Sequence, residues 1–215
     1  MTQKPLSSEN NEPVVKHNSR ANLERLLTEM IERPERRAEL KQEIEEVFEQ
    51  EKAVLVLDMS GFSRTTQRLG IISYLLMIHQ MQRVARPCVA EHRGLLLKSE
   101  ADNLFCLFDT VDDAVAAGRM ITRHLRTANL LLPEEQHLYV SIGIGHGRLL
   151  NIEDEDVFGS EVNLASKLGE DIGDMGEILL TPAARARLED QQLDLKEESI
   201  NISGLEMIYF RVADA

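Results

Sequence analysis

The chain has no run of apolar residues near the roughly 20 that a membrane-spanning helix needs, and its opening stretch, MTQKPLSSENNEPVVKHNS, is too polar for the core of a secretory signal. These two absences set the expectation of a soluble protein in the cytoplasm. Positive charge is also scarce. With 24 Lys and Arg against 37 Asp and Glu, the formal net charge is -13, which argues against a broad basic face for a nucleic-acid backbone. An anionic substrate must then be held by a local site. Cysteine is rarer still: Cys88 and Cys106 both lie in apolar surroundings and fit no metal or redox spacing, so they read as reduced core residues. What remains is 215 residues with 43% hydrophobic content, enough for one substantial core and a short appendage.

Residues 1–18 combine Pro, Ser, Asn and Glu with little apolar content and are expected to form a disordered tail. Residues 19–50 carry two amphipathic stretches. Leu23, Leu26, Leu27, Met30 and Ile31 share one helical face, Pro34 interrupts, and Leu40, Ile44, Val47 and Phe48 form a second stripe among charged residues. Such stripes need a partner, and pairing with a second copy is favoured over folding back on the same chain. Residues 51–215 form the main domain. Strands are expected near 53–59, 94–101, 103–108, 138–145, 177–181, 193–202 and 207–213. Helices are expected near 62–92, 111–129, 159–170 and 182–189. The long helical connection followed by a tight hairpin gives an α+β fold with a ferredoxin-like antiparallel sheet core and flanking helices.

That topology draws attention to Asp58, which ends the run Ala53 to Leu57, and to Asp102, which sits between Leu95-Leu96-Leu97 and Leu104 to Phe108. Both reach one edge of the sheet, where two carboxylates suit a hard divalent cation that completes its shell with water and phosphates. Strand-end aspartates also commonly serve only to satisfy turns. Between Asp58 and the next helix lies Met59-Ser60-Gly61-Phe62-Ser63. Gly61 permits close backbone approach, and Ser60 or Ser63 can cap the helix, so this segment is a candidate phosphate cradle or an ordinary capped turn. The spaced glycines Gly143, Gly145 and Gly147 lack the third glycine spacing and the following helix of a dinucleotide loop, and a Rossmann reading is rejected.

Four strings, LVLDMSGFS, LLLKSEADNLFCLF, VSIGIGHGRLL and DVFGSEVNLASKLGE, stand in an order and at intervals that resemble the class III nucleotidyl cyclase catalytic domain, the family of adenylate and guanylate cyclases. The likeness covers roughly residues 50–213. It implies that Asp58 and Asp102, with the Met59 carbonyl, hold two divalent ions, Mg²⁺ or Mn²⁺, while Gly61, Phe62 and Ser63 meet the substrate's phosphates. Lys98 and Asp156 fall on the adenine-reading pair: a cationic donor for a ring nitrogen and an anionic acceptor for the amino group. Asn163 matches the asparagine that orients the ribose, and Lys167 stands where most members carry the arginine that meets charge on the transferring phosphate. ATP is the implied substrate, 3′,5′-cyclic AMP the product, and a head-to-tail homodimer the implied assembly.

Each of these positions also has a plainer reading. Lys98 could be a solvated strand lysine, Asp156 one of an acidic loop running Glu153 to Asp156, and Asn163 the edge of a helix whose buried face is Val162, Ala165 and Leu168. Glu100 competes with Lys98 for the base, because a shift of two residues keeps the same strand face. The sequence departs from the family at Lys167, which lacks arginine's planar fork, at Ala101, where glycine is usual, and at Ser203, where many members have a lysine. A cyclase for GTP or a pyrimidine nucleotide, and a noncatalytic nucleotide-binding or dimerisation module, are the alternatives.

Overall fold

The computed structural model describes residues 17–60, 62–202 and 205–213, and the side chains of 62–69, 202 and 205 lie outside that description. The chain divides into two compact units, one ending at Val47 and one starting at Phe48.

The first unit is a pair of helices. Ser19 caps α1 (Arg20–Glu32) by accepting from the Asn22 amide, and Pro34 opens a 3₁₀ turn that leads into α2 (Arg37–Phe48). Arg25 of α1 reaches Glu43 of α2 at 3.6 Å, and Arg36 pairs with Glu39. Leu23, Leu26, Leu40 and Ile44 are buried, whereas Leu27 and Ile31 on α1 stay exposed, so part of the apolar stripe is uncovered.

The second unit is built on one sheet. Its elements are β1 (Glu49–Met59), α3 (Phe62–Glu91), β2 (Leu95–Glu100), β3 (Asn103–Phe108), α4 (Val111–Asn129), β4 (Val140–Ile152), β5 (Asp156–Phe158) and α5 (Ser160–Lys167). After a π-helical turn, Leu168–Ile172, come β6 (Ile178–Leu180), α6 (Pro182–Arg187), β7 (Leu195–Ile202) and β8 (Leu205–Val212). The strand order is β2-β3-β1-β4-β6-β8-β7, with β5 paired to β4, and every pairing is antiparallel except β4 with β6. The first four strands with α3 and α4 are the expected ferredoxin-like unit.

Why β1 sits at the centre is visible in its residues. Ala53 to Leu57 are fully buried, and strand alternation sends them to two different cores. Ala53, Leu55, Leu57 and Met59 join the large cluster under α3 and α4, while Val54 and Val56 join Phe105, Leu107, Val162 and Ala165 under α5. A strand covered on both faces reads as a continuous apolar run, and each large side chain buried there contributes about 1.5–3 kcal/mol.

Three features differ from the expected pattern. α3 is broken at Gly70, whose φ of 79° is left-handed backbone that interrupts the helix. β4 continues to Ile152 and turns back into β5, because Glu153 and Asp154 both adopt left-handed φ, near 55° and 57°, so the acidic stretch is the exposed turn of a tight hairpin that carries Asp156 back to the sheet. The helix expected to reach 170 stops at Lys167 and widens into the π-helical turn. The Ser60 hydroxyl lies 3.2 Å from that of Ser141 on β4.

Cys88 and Cys106 are buried free thiols, as expected of core residues, and burial pushes Cys106 up to about 12.

Candidate active site

Strand parity places Asp58 on the α5 side of the sheet, in line with Val54 and Val56. β1 and β3 pair as far as Leu57 with Leu104, so one further step sets Asp58 opposite Asn103, beside Asp102 in the hairpin turn. The two carboxylates feel one another. Asp58 is half-buried and its pKa is pushed up to about 7, first by burial, then by Asp102 and then by Glu170, against a single opposing hydrogen bond from the Met59 amide. Lys98 pairs with Glu100 and Asp156, and Lys167 with Asp171, so neither lysine neutralises the aspartates within one chain.

Two half-desolvated carboxylates sharing an edge are an arrangement that a divalent cation relieves. Among the described residues no three His, Cys, Asp or Glu side chains gather into a metal cage. The donor set is therefore two carboxylates, with the Met59 carbonyl beside them, and that suits a hard cation whose remaining ligands are water and phosphate.

The hairpin turn bears on this geometry. Ala101 has a φ of 51°, a left-handed conformation that a Cβ makes costly and that glycine accepts freely. Ala101→Gly is expected to stabilise the protein by roughly 0.5–1 kcal/mol, read as a rise of about 1–4 °C in a thermal melt. A melting point at or below that of the parent would show that the turn is not strained.

Beyond the aspartates, Ser141 ties three elements together. Its hydroxyl donates to the Gly169 carbonyl at 2.6 Å and also lies against Ser60, joining β4 and the turn after α5 to the end of β1. Of the expected phosphate cradle, Gly61 lies outside the described residues, as do the side chains of Phe62 and Ser63, while their backbone begins α3.

Lys98 and Asp156, 58 residues apart in sequence, meet in the structure. The Lys98 ammonium lies 2.9 Å from Asp156 Oδ1 and 2.8 Å from Glu100 Oε1, and it sits over the Phe105 ring at 4.7 Å from the centroid. The β4–β5 hairpin makes this possible by returning the chain so that Asp156 pairs with Ile152 at the start of β5. Burial alone would lower the lysine's pKa, but the hydrogen bonds to Glu100 and Asp156 outweigh it, and the ammonium titrates above its ordinary value.

Asn163 and Lys167 lie on α5, which packs on β1 and β4 through Val162 and Ala165. Asn163 is exposed, and Lys167 is held by Asp171 at 2.9 Å. The spaced glycines of β4 now have a physical reason. A Cβ on Gly143 would come within 1.9 Å of the Ala165 carbonyl oxygen, so α5 can lie this close to the sheet only over glycine.

Sequence reasoning missed two groups. Glu170, in the turn after α5, has its carboxyl raised by burial, then by Asp171 and Asp102, which brings a third acid towards the aspartate pair. Tyr74 of α3 is raised by burial and by Asp102. Neither carries a spacing signal, because each reaches the sheet edge through a helix packing that the sequence does not show.

Residues 46–213 match the family described as the adenylate and guanylate cyclase catalytic domain, and the chain belongs to that family. It is 28% identical over 129 residues to "Putative adenylate cyclase 3" of Rhizobium meliloti (strain 1021), covering 60% of this chain and 22% of that protein. The chain spans about a fifth of the length of the curated relatives it matches, 22% of one and 17% of another. Among solved structures, the guanylyl cyclase Cya2 aligns with a TM-score of 0.66 at 22% identity, over 77% of this chain and 92% of that one. The adenylyl cyclase CyaB from P. aeruginosa aligns with a TM-score of 0.64 at 22% identity, over 78% and 96%. The fold is thus that of a nucleotidyl cyclase domain, shared by neighbours named for either base. No helix among the described residues is long and apolar enough to cross a membrane.

Proposed function

We propose that the protein is an adenylate cyclase that converts ATP to 3′,5′-cyclic AMP and pyrophosphate. The observation that carries the adenine preference is the Lys98–Asp156 pair, a donor and an acceptor side by side at 2.9 Å. Adenine offers a ring-nitrogen acceptor next to an exocyclic amino donor, which the pair complements with Lys98 facing the ring nitrogen and Asp156 the amino group, whereas guanine reverses the order, with its acceptor at the exocyclic carbonyl and its donor in the ring.

In this reading Asp58, Asp102 and the Met59 carbonyl hold divalent ions, Mg²⁺ or Mn²⁺, two to a site. Ions bound there supply Lewis acidity towards the phosphoryl oxygens and the 3′-hydroxyl. Gly61, Phe62 and Ser63 are the proposed contacts to the phosphates, which backbone amides at the start of α3 would favour. Asn163 orients the ribose, and Lys167 releases Asp171 to meet charge on the α-phosphate. The bond formed joins O3′ to the α-phosphorus, and the bond broken links that phosphorus to the oxygen bridging to the β-phosphate. The hydroxyl proton passes to water, and pyrophosphate leaves. Positioning and charge, with little demand for a protein base, supply most of the acceleration.

The site is proposed to form between two chains, with the aspartates of one facing Lys98, Asp156, Asn163 and Lys167 of its partner. A two-fold axis makes both sites equivalent. The exposed Leu27 and Ile31 of α1 support a role for the N-terminal helices in that pairing.

The test is to incubate the purified protein with each of the four nucleoside triphosphates and Mg²⁺ or Mn²⁺, and to identify cyclic products by mass spectrometry. Cyclic AMP as the main product supports the proposal, cyclic GMP or a cyclic pyrimidine nucleotide would reassign the base, and the absence of any cyclic product would leave a noncatalytic module. Lys98→Glu should lower kcat/KM for ATP at least tenfold, or about 1.4 kcal/mol, because it sets a third carboxylate against Glu100 and Asp156 and removes the donor. An unchanged value would remove Lys98 from the base site.

A further inference from the structure

We propose that Glu100 is a positioning residue for the base: it fixes the direction of the one Lys98 proton left for the adenine ring. The inference rests on the adenylate cyclase reading above and adds to it a residue outside the donor and acceptor pair.

An ammonium has three N–H donors and no acceptor. In this chain Glu100 Oε1 stands 2.8 Å from the Lys98 nitrogen and Asp156 Oδ1 stands 2.9 Å from it. Two of the three donors are thereby engaged, and the Phe105 ring closes a further side at 4.7 Å. With two hydrogen bonds set, the tetrahedral geometry at nitrogen fixes where the third points. Lysine alone has no such preference, because its ammonium rotates freely on a flexible four-carbon stem. Lys98 and Glu100 are two apart on β2 and so project to the same side, which lets the contact form with no loop to order.

Exposure separates the roles of the two acids. The Asp156 side chain is 16% exposed and that of Glu100 is 63% exposed. Asp156 is the inner acceptor, with Oδ1 also accepting from the Val157 amide at 2.9 Å. Glu100 stands at the rim, where it steers the lysine without occupying the place of the base.

The experiment is calorimetric binding of 3′-deoxy-ATP and 3′-deoxy-GTP with Mg²⁺ to the full chain. Neither analogue has the hydroxyl that attacks, so binding is read without turnover. In Glu100→Ala, the Kd for 3′-deoxy-ATP is expected to rise about five- to tenfold while that for 3′-deoxy-GTP does not rise. Glu100→Gln keeps an oxygen for the lysine and should recover most of the loss. With ATP itself, KM should rise in Glu100→Ala and kcat should stay within about twofold. An unchanged Kd for 3′-deoxy-ATP in Glu100→Ala overturns the inference alone, as does a loss confined to 3′-deoxy-GTP, which would make Glu100 a guanine reader. If the parent protein binds neither analogue, the cyclase reading itself fails and takes this inference with it.

Discussion

Asp58→Asn is expected to lower cyclic nucleotide formation by about 10³-fold or more, some 4 kcal/mol of transition-state stabilisation, while making the metal-free protein more stable. The two effects share one cause. Asp58 is half-buried beside Asp102 and Glu170, and its pKa stands at about 7 against an ordinary 3.8. Below 3.8 the carboxyl is protonated in both folded and unfolded chains and costs nothing. Between the two values the unfolded chain gives up its proton and the folded chain keeps it, so stability falls as pH rises, and the full cost is present above about pH 7. Discounted for solvent screening of a half-exposed group, that cost is roughly 1–2 kcal/mol.

Asparagine removes the cost and the pH dependence with it. Melts of the parent and variant without divalent ions should therefore separate by about 2–8 °C at pH 8 and converge near pH 4. Mg²⁺ should raise the melting point of the parent alone. A variant that turned over ATP at the parental rate, or that melted lower than the parent at pH 8, would dismiss the shared-cation reading of this edge.

Gly143→Ala is the second large effect. The new Cβ would meet the Ala165 carbonyl oxygen at 1.9 Å and the Gly169 amide nitrogen at 2.8 Å, both backbone atoms that no rotamer change can move. α5 and its following turn would have to lift from the sheet, uncovering Val162 and Ala165 from Val54 and Val56. A loss of about 3 kcal/mol, at the upper end for overpacking, corresponds to a fall of about 6–12 °C in melting temperature. Because Asn163 and Lys167 ride on the same helix, activity should fall together with stability, and the protein should not regain the parental rate on cooling to 15–20 °C. Full activity at low temperature would show that the closeness of α5 matters only for stability.

The residues differ in how far the sequence alone reveals them. The run Ala53 to Leu57 announces a central strand, since only a strand covered on both faces is apolar at every position. Pro34 marks the break between the N-terminal helices, because it lacks the amide that a helix interior needs. The string containing Lys98 and Asp102 marks a hairpin, and the order of elements then forces Asp58 and Asp102 to one edge. Other features depend on what packs opposite. The glycines of β4 resemble a loop signal until α5 is placed over them. The acidic run Glu153 to Asp156 reads as a plain exposed loop, and what it does not show is that two left-handed residues fold it back so that Asp156 opens β5.

By itself, the sequence determined the α+β class, the family through its ordered strings, the aspartate edge and the lack of a membrane-length apolar run, because strand period, chain order and charge are properties of neighbours along the chain. Only the tertiary structure decided that Lys98 meets Asp156 and that Glu170 approaches the aspartates. Those contacts join residues carried by different strands and turns, and the turn geometry and helix-to-sheet distance that bring them together are set by packing across the sheet and have no period in the sequence to be read.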